Sequence, residues 1–120
     1  MKTVLCSMID DFFMPGFEVF VKSLLEKNPW FDLPIRLIDV GLSRSNKEKC
    51  VKQYPNIDFI LPKKENYKKV SFEKTAECLW NTYYKLDMFS YTDYDRVVFI
   101  DLDILVCDDI KELFEVTEPL

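Results

Sequence analysis

No histidine occurs among the 120 residues, and glycine occurs only at Gly16 and Gly41. The missing imidazole excludes a Ser-His-Asp triad, a Cys-His dyad and any histidine-ligated metal. Two glycines cannot spell G-x-G-x-x-G or G-x-x-x-x-G-K-[ST], so a glycine loop is not how this chain would hold a phosphate. Cys6, Cys50, Cys78 and Cys107 are widely spaced and form no C-x-x-C, which leaves zinc without clustered ligands. Cys6 and Cys107 lie in apolar runs and read as small buried hydrophobes. A reduced, cytoplasmic protein is the simplest reading. No apolar run approaches the ~18 residues of a membrane span. The run Val4–Ile9 is broken at once by Asp10 and Asp11, too soon for a signal peptide.

What is present is apolar and acidic. Hydrophobic residues make up 48% of the chain and aromatics 15%, enough to build a core and to argue against disorder. The length allows one domain, residues 1–120. The net charge is −5 but unevenly spread: residues 1–86 carry a net +3 and residues 87–120 a net −8. Acid gathered at one end argues against nucleic-acid binding and suits a cation.

Four short apolar runs predict strands: Thr3–Met8, Ile35–Asp39, Ile57–Leu61 and Arg96–Asp101. Each is nearly continuous, the pattern of a parallel sheet covered on both faces. Helices are predicted between them. Phe17, Phe20, Val21, Leu24 and Leu25 line one helical face behind Pro15. Ser45 and Glu48 form an S-x-x-E box opening a second helix that reaches about Tyr54. Phe72, Ala76, Leu79, Tyr83 and Leu86 mark a third, with Ser71 as N-cap. A short strand at Ile104–Cys107 and a short helix from Asp109, with Ile110, Leu113 and Phe114 as its apolar face, complete the order. Strands alternating with helices give an α/β domain with a mainly parallel sheet. Lys63, Lys64, Lys68 and Lys69 fall in the one long loop, a solvated basic segment.

Open α/β sheets bind ligands at the carboxyl ends of their strands. There this sequence places Asp10 and Asp11, Asp39, and Asp101-Leu102-Asp103. Asp101 and Asp103, spaced i and i+2, leave an extended chain on one side. Two such carboxylates repel each other, and a hard divalent cation relieves that cost. A cation with open positions for phosphate oxygens would serve a chain that lacks a glycine loop. The bland alternative is that the two acids merely cap turns at a strand end.

The stretch Tyr84-Lys85-Leu86-Asp87-Met88-Phe89, then Tyr94 to Val106 around Asp101-Leu102-Asp103, then Ile110–Phe114, resembles the glycogenin-like glycosyltransferases of family eight. Val4–Asp11, Phe13, Lys22-Ser23-Leu24, and Ile35-Arg36-Leu37 with Asp39, Gly41 and Ser43 resemble the same family's first strand, helix and second strand. The resemblance implies a GT-A fold whose N-terminal part binds a nucleotide-sugar, commonly a UDP-hexose. It implies Mn²⁺ or Mg²⁺ on Asp101 and Asp103, and a uracil pocket lined by Met8, Ile9 and Asp10. Phe13 stands where the family usually has a tyrosine against the base. Lys85 would face the sugar-diphosphate, and the Leu102 backbone the ribose region. Transfer with retention, to a glycan, lipid or protein acceptor, follows from the same resemblance. The family's third metal ligand is a histidine in its C-terminal half, which this chain lacks. The expected object is therefore the donor-binding part of one truncated domain, with the acceptor part absent. The competing expectation is an inert fragment or scaffold of the same fold with structural acids. Haloacid-dehalogenase-type phosphatases also place D-x-D after an apolar strand. Only 17 residues follow Asp103, however, and Leu105 falls where that motif favours Thr or Val.

Overall fold

Strands form where the aliphatic runs were expected. The computed structural model describes residues 1–64 and 83–117. Among them β1 (Thr3–Ile9), β2 (Ile35–Asp39), β3 (Ile57–Ile60) and β4 (Arg96–Phe99) build a sheet in the order β3-β2-β1-β4. Every pairing is parallel, with Leu5 opposite both Ile35 and Val98, and Ile35 opposite Ile57. The chain grows from β1 through β2 to β3, then returns to lay β4 on the free side of β1. β1 and β2 are buried almost throughout, while β3 and β4 at the edges are half-buried.

Successive side chains of a strand face opposite sides, so each face packs separately. Leu5, Ile9, Ile35 and Leu37 meet α1 (Met14–Lys27) through Phe17, Phe20, Val21 and Leu24, the predicted apolar stripe. Leu25 is only partly buried at its edge. α2 (Arg44–Gln53) adds Cys50 to the same core. The other face carries Cys6 and Ile38, covered by Tyr84 and Tyr91. Burial pushes the Cys6 thiol up to about 12, so it stays protonated and behaves as a hydrophobe.

Arg36, the second residue of β2, lies buried on that second face. Its Nη1 and Nη2 donate to Asp93 at 3.0 and 2.6 Å, and its Nε donates to Asp58 at 2.8 Å. The Tyr91 and Tyr94 rings lie 4.8 and 5.2 Å from the guanidinium carbon. The bonds to Asp93 above all, against the cost of burial, raise the Arg36 pKa further. One side chain thereby ties β2 to β3 and to the loop that leads into β4.

The structure corrects several expectations. Ile104–Cys107 is not a strand. Its Val106 amide donates to Ser23 Oγ on α1, not to a neighbouring strand. Cys107 is exposed, because the segment lies against α1 and turns that side chain outward. Ser43, not Ser45, caps α2, accepting from Asn46 N at 3.3 Å, and Glu48 pairs with Arg44 instead. The helix expected from Ser71 falls, over 71–82, outside the described residues. Its end, Tyr84–Ser90, is a 3-10 helix. At three residues per turn the buried positions become Tyr84 and Asp87, and Tyr83 and Leu86 turn outward. A 3-10 helix also replaces the expected last helix, at Lys111–Phe114. It buries Phe114 and leaves Leu113 exposed. In the basic loop the Lys63 amide donates to Asp87 and its ammonium to Ser90, so this residue is anchored to the fold. Lys68 and Lys69 lie outside the described residues.

Replacing Arg36 by Met tests its part in the sheet. Asp58 and Asp93 keep access to water, so the expected loss is about 2–3 kcal/mol, at or below the range for a broken buried pair. Urea unfolding of Arg36→Met against the parent reads it directly. A loss within the ~0–1 kcal/mol of a surface pair would show that the guanidinium adds nothing net.

Candidate functional site

The carboxyl ends of β1, β2 and β4 open into a cleft of about 500 Å³. It sits where the chain, having built β2 and β3 on one side of β1, places β4 on the other. Such a reversal of strand order leaves a crevice that crossover connections do not fill. β1 contributes Met8, Ile9 and Asp10, and the residue after β2 contributes Val40. The 3-10 turn Asp11–Phe13 contributes Phe12 and Phe13, and Lys85 enters from the segment before β4. Asp101, Leu102 and Asp103 follow β4 and close the far side.

Local sequence explains each placement. Asp10 is extended and caps the turn after it, its Oδ1 accepting from Phe13 N at 3.0 Å. That bond holds Phe12 and Phe13 at the mouth, where they meet edge to face at 5.6 Å. Phe12 is 83% exposed, a large apolar surface left open beside the cleft. Across the cleft the turn after β4 sorts three residues. Leu102 is buried in the core, while Asp101 and Asp103 on either side are exposed. Among the described residues no hydrogen bond or ion pair engages either carboxylate, nor the Lys85 ammonium. Gly16 makes room for this loop: a Cβ there would lie 3.1 Å from the Leu102 carbonyl oxygen.

The other acids at this edge are consumed by the scaffold. Asp39 accepts from the amides of Gly41 and Leu42 at 2.9 and 2.7 Å, and pairs with Lys47 at 2.7 Å. Burial alone would raise its pKa, but the Lys47 ammonium and the two amides outweigh it and hold the carboxyl below its ordinary value. Gly41 takes φ +135°, a backbone open to glycine and strained for other residues. Asp11 accepts from the Ser43 amide and from Asn46 Nδ2, at 2.8 and 2.7 Å, and these bonds lower its pKa. Asp11 and Asp39 thus lock the turns beneath the cleft and do not line it. Sequence alone did not separate them from Asp101 and Asp103.

Comparison with known proteins bears on this architecture. The model of glycosyl transferase family 8 matches residues 4–119. The chain belongs to glycosyltransferase family 8. This family 8 chain superposes on the galactosyltransferase LgtC, solved in complex with donor and acceptor sugar analogues. The TM-score is 0.76 at 24% identity, over 94% of this chain and 42% of that one. The bifunctional glycosyltransferase WbbM in its apo form gives a TM-score of 0.70 at 21% identity, over 96% of this chain and 21% of that one. A shorter match joins 36 residues, 44% identical, to inositol phosphorylceramide glucuronosyltransferase 1 of Arabidopsis thaliana. It covers 30% of this chain and 7% of that protein. The family 8 chain spans less than half the length of the solved structures it matches. Its parallel sheet with flanking helices is the GT-A fold.

Every site residue expected from the sequence lines the one cleft: Met8, Ile9, Asp10 and Phe13 on the β1 side, Lys85, Asp101, Leu102 and Asp103 on the β4 side. Two lining residues, Phe12 and Val40, were not singled out. Val40 was legible in principle as the residue after the second strand, held by its amide donating to Ile9 O at 3.0 Å. Among the described residues no three acids or cysteines gather into a metal-binding set, and no helix is long and apolar enough to cross a membrane.

The depressed pKa of Asp39 carries a pH dependence. Its folded value lies below its unfolded one, so its stabilisation is complete above the ordinary carboxylate value of about 4. It is lost as pH falls from there through the folded value. Thermal unfolding of the family 8 chain between about pH 6 and pH 2.5 is expected to show a falling midpoint below about pH 4, with a shallower fall in Asp39→Asn. Equal slopes in the two proteins would remove Asp39 from the account.

Proposed function

We propose that the cleft binds a UDP-sugar together with Mn²⁺ or Mg²⁺, and that the protein transfers the sugar to an acceptor with retention of configuration. The observation that carries this reading is the pair Asp101 and Asp103, exposed and unpartnered among the described residues, on either side of the buried Leu102 at the switch point of the sheet. Membership of family 8 supports transfer of a sugar. LgtC, of the same fold, was solved with donor and acceptor sugar analogues, which supports a sugar donor as the ligand class. The acceptor class stays open among glycans, lipids and proteins.

The lining residues fit a cation. Three carboxylates, Asp10, Asp101 and Asp103, face the cleft with Lys85 as the one ammonium. An anionic diphosphate would be repelled from that surface unless a cation joined it. Carboxylate oxygens are hard donors of the kind Mg²⁺ and Mn²⁺ take, and two of them leave positions for phosphate oxygens and further ligands. Asp101 and Asp103 would hold such an ion, which would supply charge neutralisation to a departing diphosphate.

The other residues divide the donor between them. Met8, Ile9 and Val40 offer an apolar floor for the uracil. Phe13 offers a ring face without the hydroxyl of a tyrosine. The oxygen of Asp10 not bonded to Phe13 accepts from the base. Lys85 attracts the diphosphate and sugar, and the Leu102 backbone faces the ribose. The apolar and charged halves of the cleft match the two halves of such a donor.

Calorimetry of UDP binding to the full-length protein, with Mn²⁺ and with a chelator, tests the reading. Asp101→Asn with Asp103→Asn is expected to weaken Mn²⁺-dependent binding by about 10–100-fold. Affinity indifferent to both the metal and the double substitution excludes the proposal. Phe13→Ala is expected to cost about 1–3 kcal/mol of UDP binding, the worth of one base stacked on one ring. A change confined to turnover, with binding intact, would place the base elsewhere.

A further inference from the structure

We infer that Ser23 on α1 is a positioning residue for the Asp101–Asp103 pair, acting through the buried hydrogen bond it accepts from the Val106 amide. The inference rests on the donor-site reading above and adds to it the device that sets the two carboxylates.

The loop that carries the acids has no regular structure to fix it. β4 ends at Phe99, and from Asp101 to Ile110 the backbone pairs with no strand. It is held by α1 and the residue that ends it. At the start of α1 the absent side chain of Gly16 lets the Leu102 carbonyl approach, at 3.1 Å from where a Cβ would stand. Farther along, Ser23 Oγ accepts from Val106 N at 3.0 Å and donates to Phe20 O at 3.0 Å. At the C-cap Asn28, fully buried, donates from Nδ2 to Asp108 O at 3.2 Å and accepts at Oδ1 from Ile110 N at 2.7 Å. The helix thus fixes the loop at Leu102, Val106 and Asp108–Ile110.

Ser23 is the point among these that chemistry makes decisive. Both its hydroxyl and the Val106 amide are buried, so neither finds water if the other is lost. Val106 is three residues from Asp103, with no ladder to absorb a shift. Leu102 and Val106 are buried while Ile104 and Leu105 between them are 42% and 61% exposed. Two anchors four residues apart therefore bracket Asp103. Hydrogen bonds that orient a metal ligand tune its affinity although they never touch the ion. The Ser23 hydroxyl is spent on this bond and on its own helix, and it lies outside the cleft.

The test is Mn²⁺ uptake by the full-length protein at saturating UDP, followed by loss of the free-ion EPR signal, beside the unliganded melting temperature. Ser23→Ala is expected to raise the half-saturating Mn²⁺ about tenfold, and Ser23→Thr, which keeps the hydroxyl, to restore it to within about threefold. Uptake by a folded Ser23→Ala protein equal to the parent overturns the inference, as does an Ala-like loss in a folded Ser23→Thr. Where Ser23→Ala fails to fold, Ser23→Cys, whose sulfur is a poor acceptor for the Val106 amide, carries the same expectation. Parent-like uptake by that folded variant overturns it. Asp101→Asn with Asp103→Asn separates the two claims. Unchanged uptake in that double variant overturns the donor-site reading. Uptake lost there but retained in Ser23→Ala overturns only the role of Ser23.

Discussion

Leu102 packs into the core with Ile9, Met14 and Phe17 while the carboxylates on either side remain in water. Its burial contributes about 1.5–3 kcal/mol, and it also fixes the turn that carries the two acids. With Leu102 buried in the turn after β4, Asp101 and Asp103 on either side are left exposed and line the cleft beside the ends of β1 and β2. The glycine at position 16 belongs to the same constraint, since a side chain there would press on the Leu102 carbonyl. Without that close approach the acids would not stand across from Asp10 and Phe13.

The four strands supply the frame in which this contact matters. Because β4 lies on one side of β1 and β2 on the other, the carboxyl ends of all three converge. Each end carries an acid, and their partners separate structure from function. Asp39 and Asp11 accept amide bonds that close the turns, with Lys47 and Asn46 completing their shells. Asp10 spends one oxygen on Phe13 and keeps the other. Asp101 and Asp103 have no partner among the described residues. A carboxylate already satisfied by amides and an ammonium gains little from a cation. A pair held open side by side gains most.

Much of this was legible in the residues. The aliphatic runs and the stripe Phe17, Phe20, Val21, Leu24 marked the sheet and its first helix, because burial on two faces or on one stripe leaves a periodic trace. The i, i+2 acids after an apolar run marked the cleft. What escaped depended on partners distant in sequence. Ile104–Cys107 has the composition of a strand, but its amide at Val106 is taken by Ser23, more than eighty residues earlier. Cys107 shared that apolar run and is exposed for the same reason. Ser45 and Glu48 have the spacing of a cap, yet Ser43 takes the role because Asp11 already binds its amide and fixes the chain's entry into α2. Arg36 reads as an ordinary charge in a strand until Asp58 and Asp93 converge on it.

The scarcity of glycine gains a physical meaning from these placements. Phosphate loops use glycine so that backbone amides can surround an anion. Here neither glycine is among the residues lining the cleft. Gly41 supplies the one positive φ found among the described residues and closes the turn under Val40, while Gly16 admits Leu102. Both serve the walls. The charges on those walls are mostly negative, so the cleft is built the opposite way from a phosphate loop: on the proposed reading it would meet an anion through a cation held by acids rather than through amides. Such a surface repels a lone diphosphate and attracts a cation, and a cation held there would remove the repulsion that excludes the diphosphate. Affinity for either component is then coupled to the presence of its partner. On the donor-site reading proposed above, the side chains that set the spacing of Asp101 and Asp103 would act on both at once.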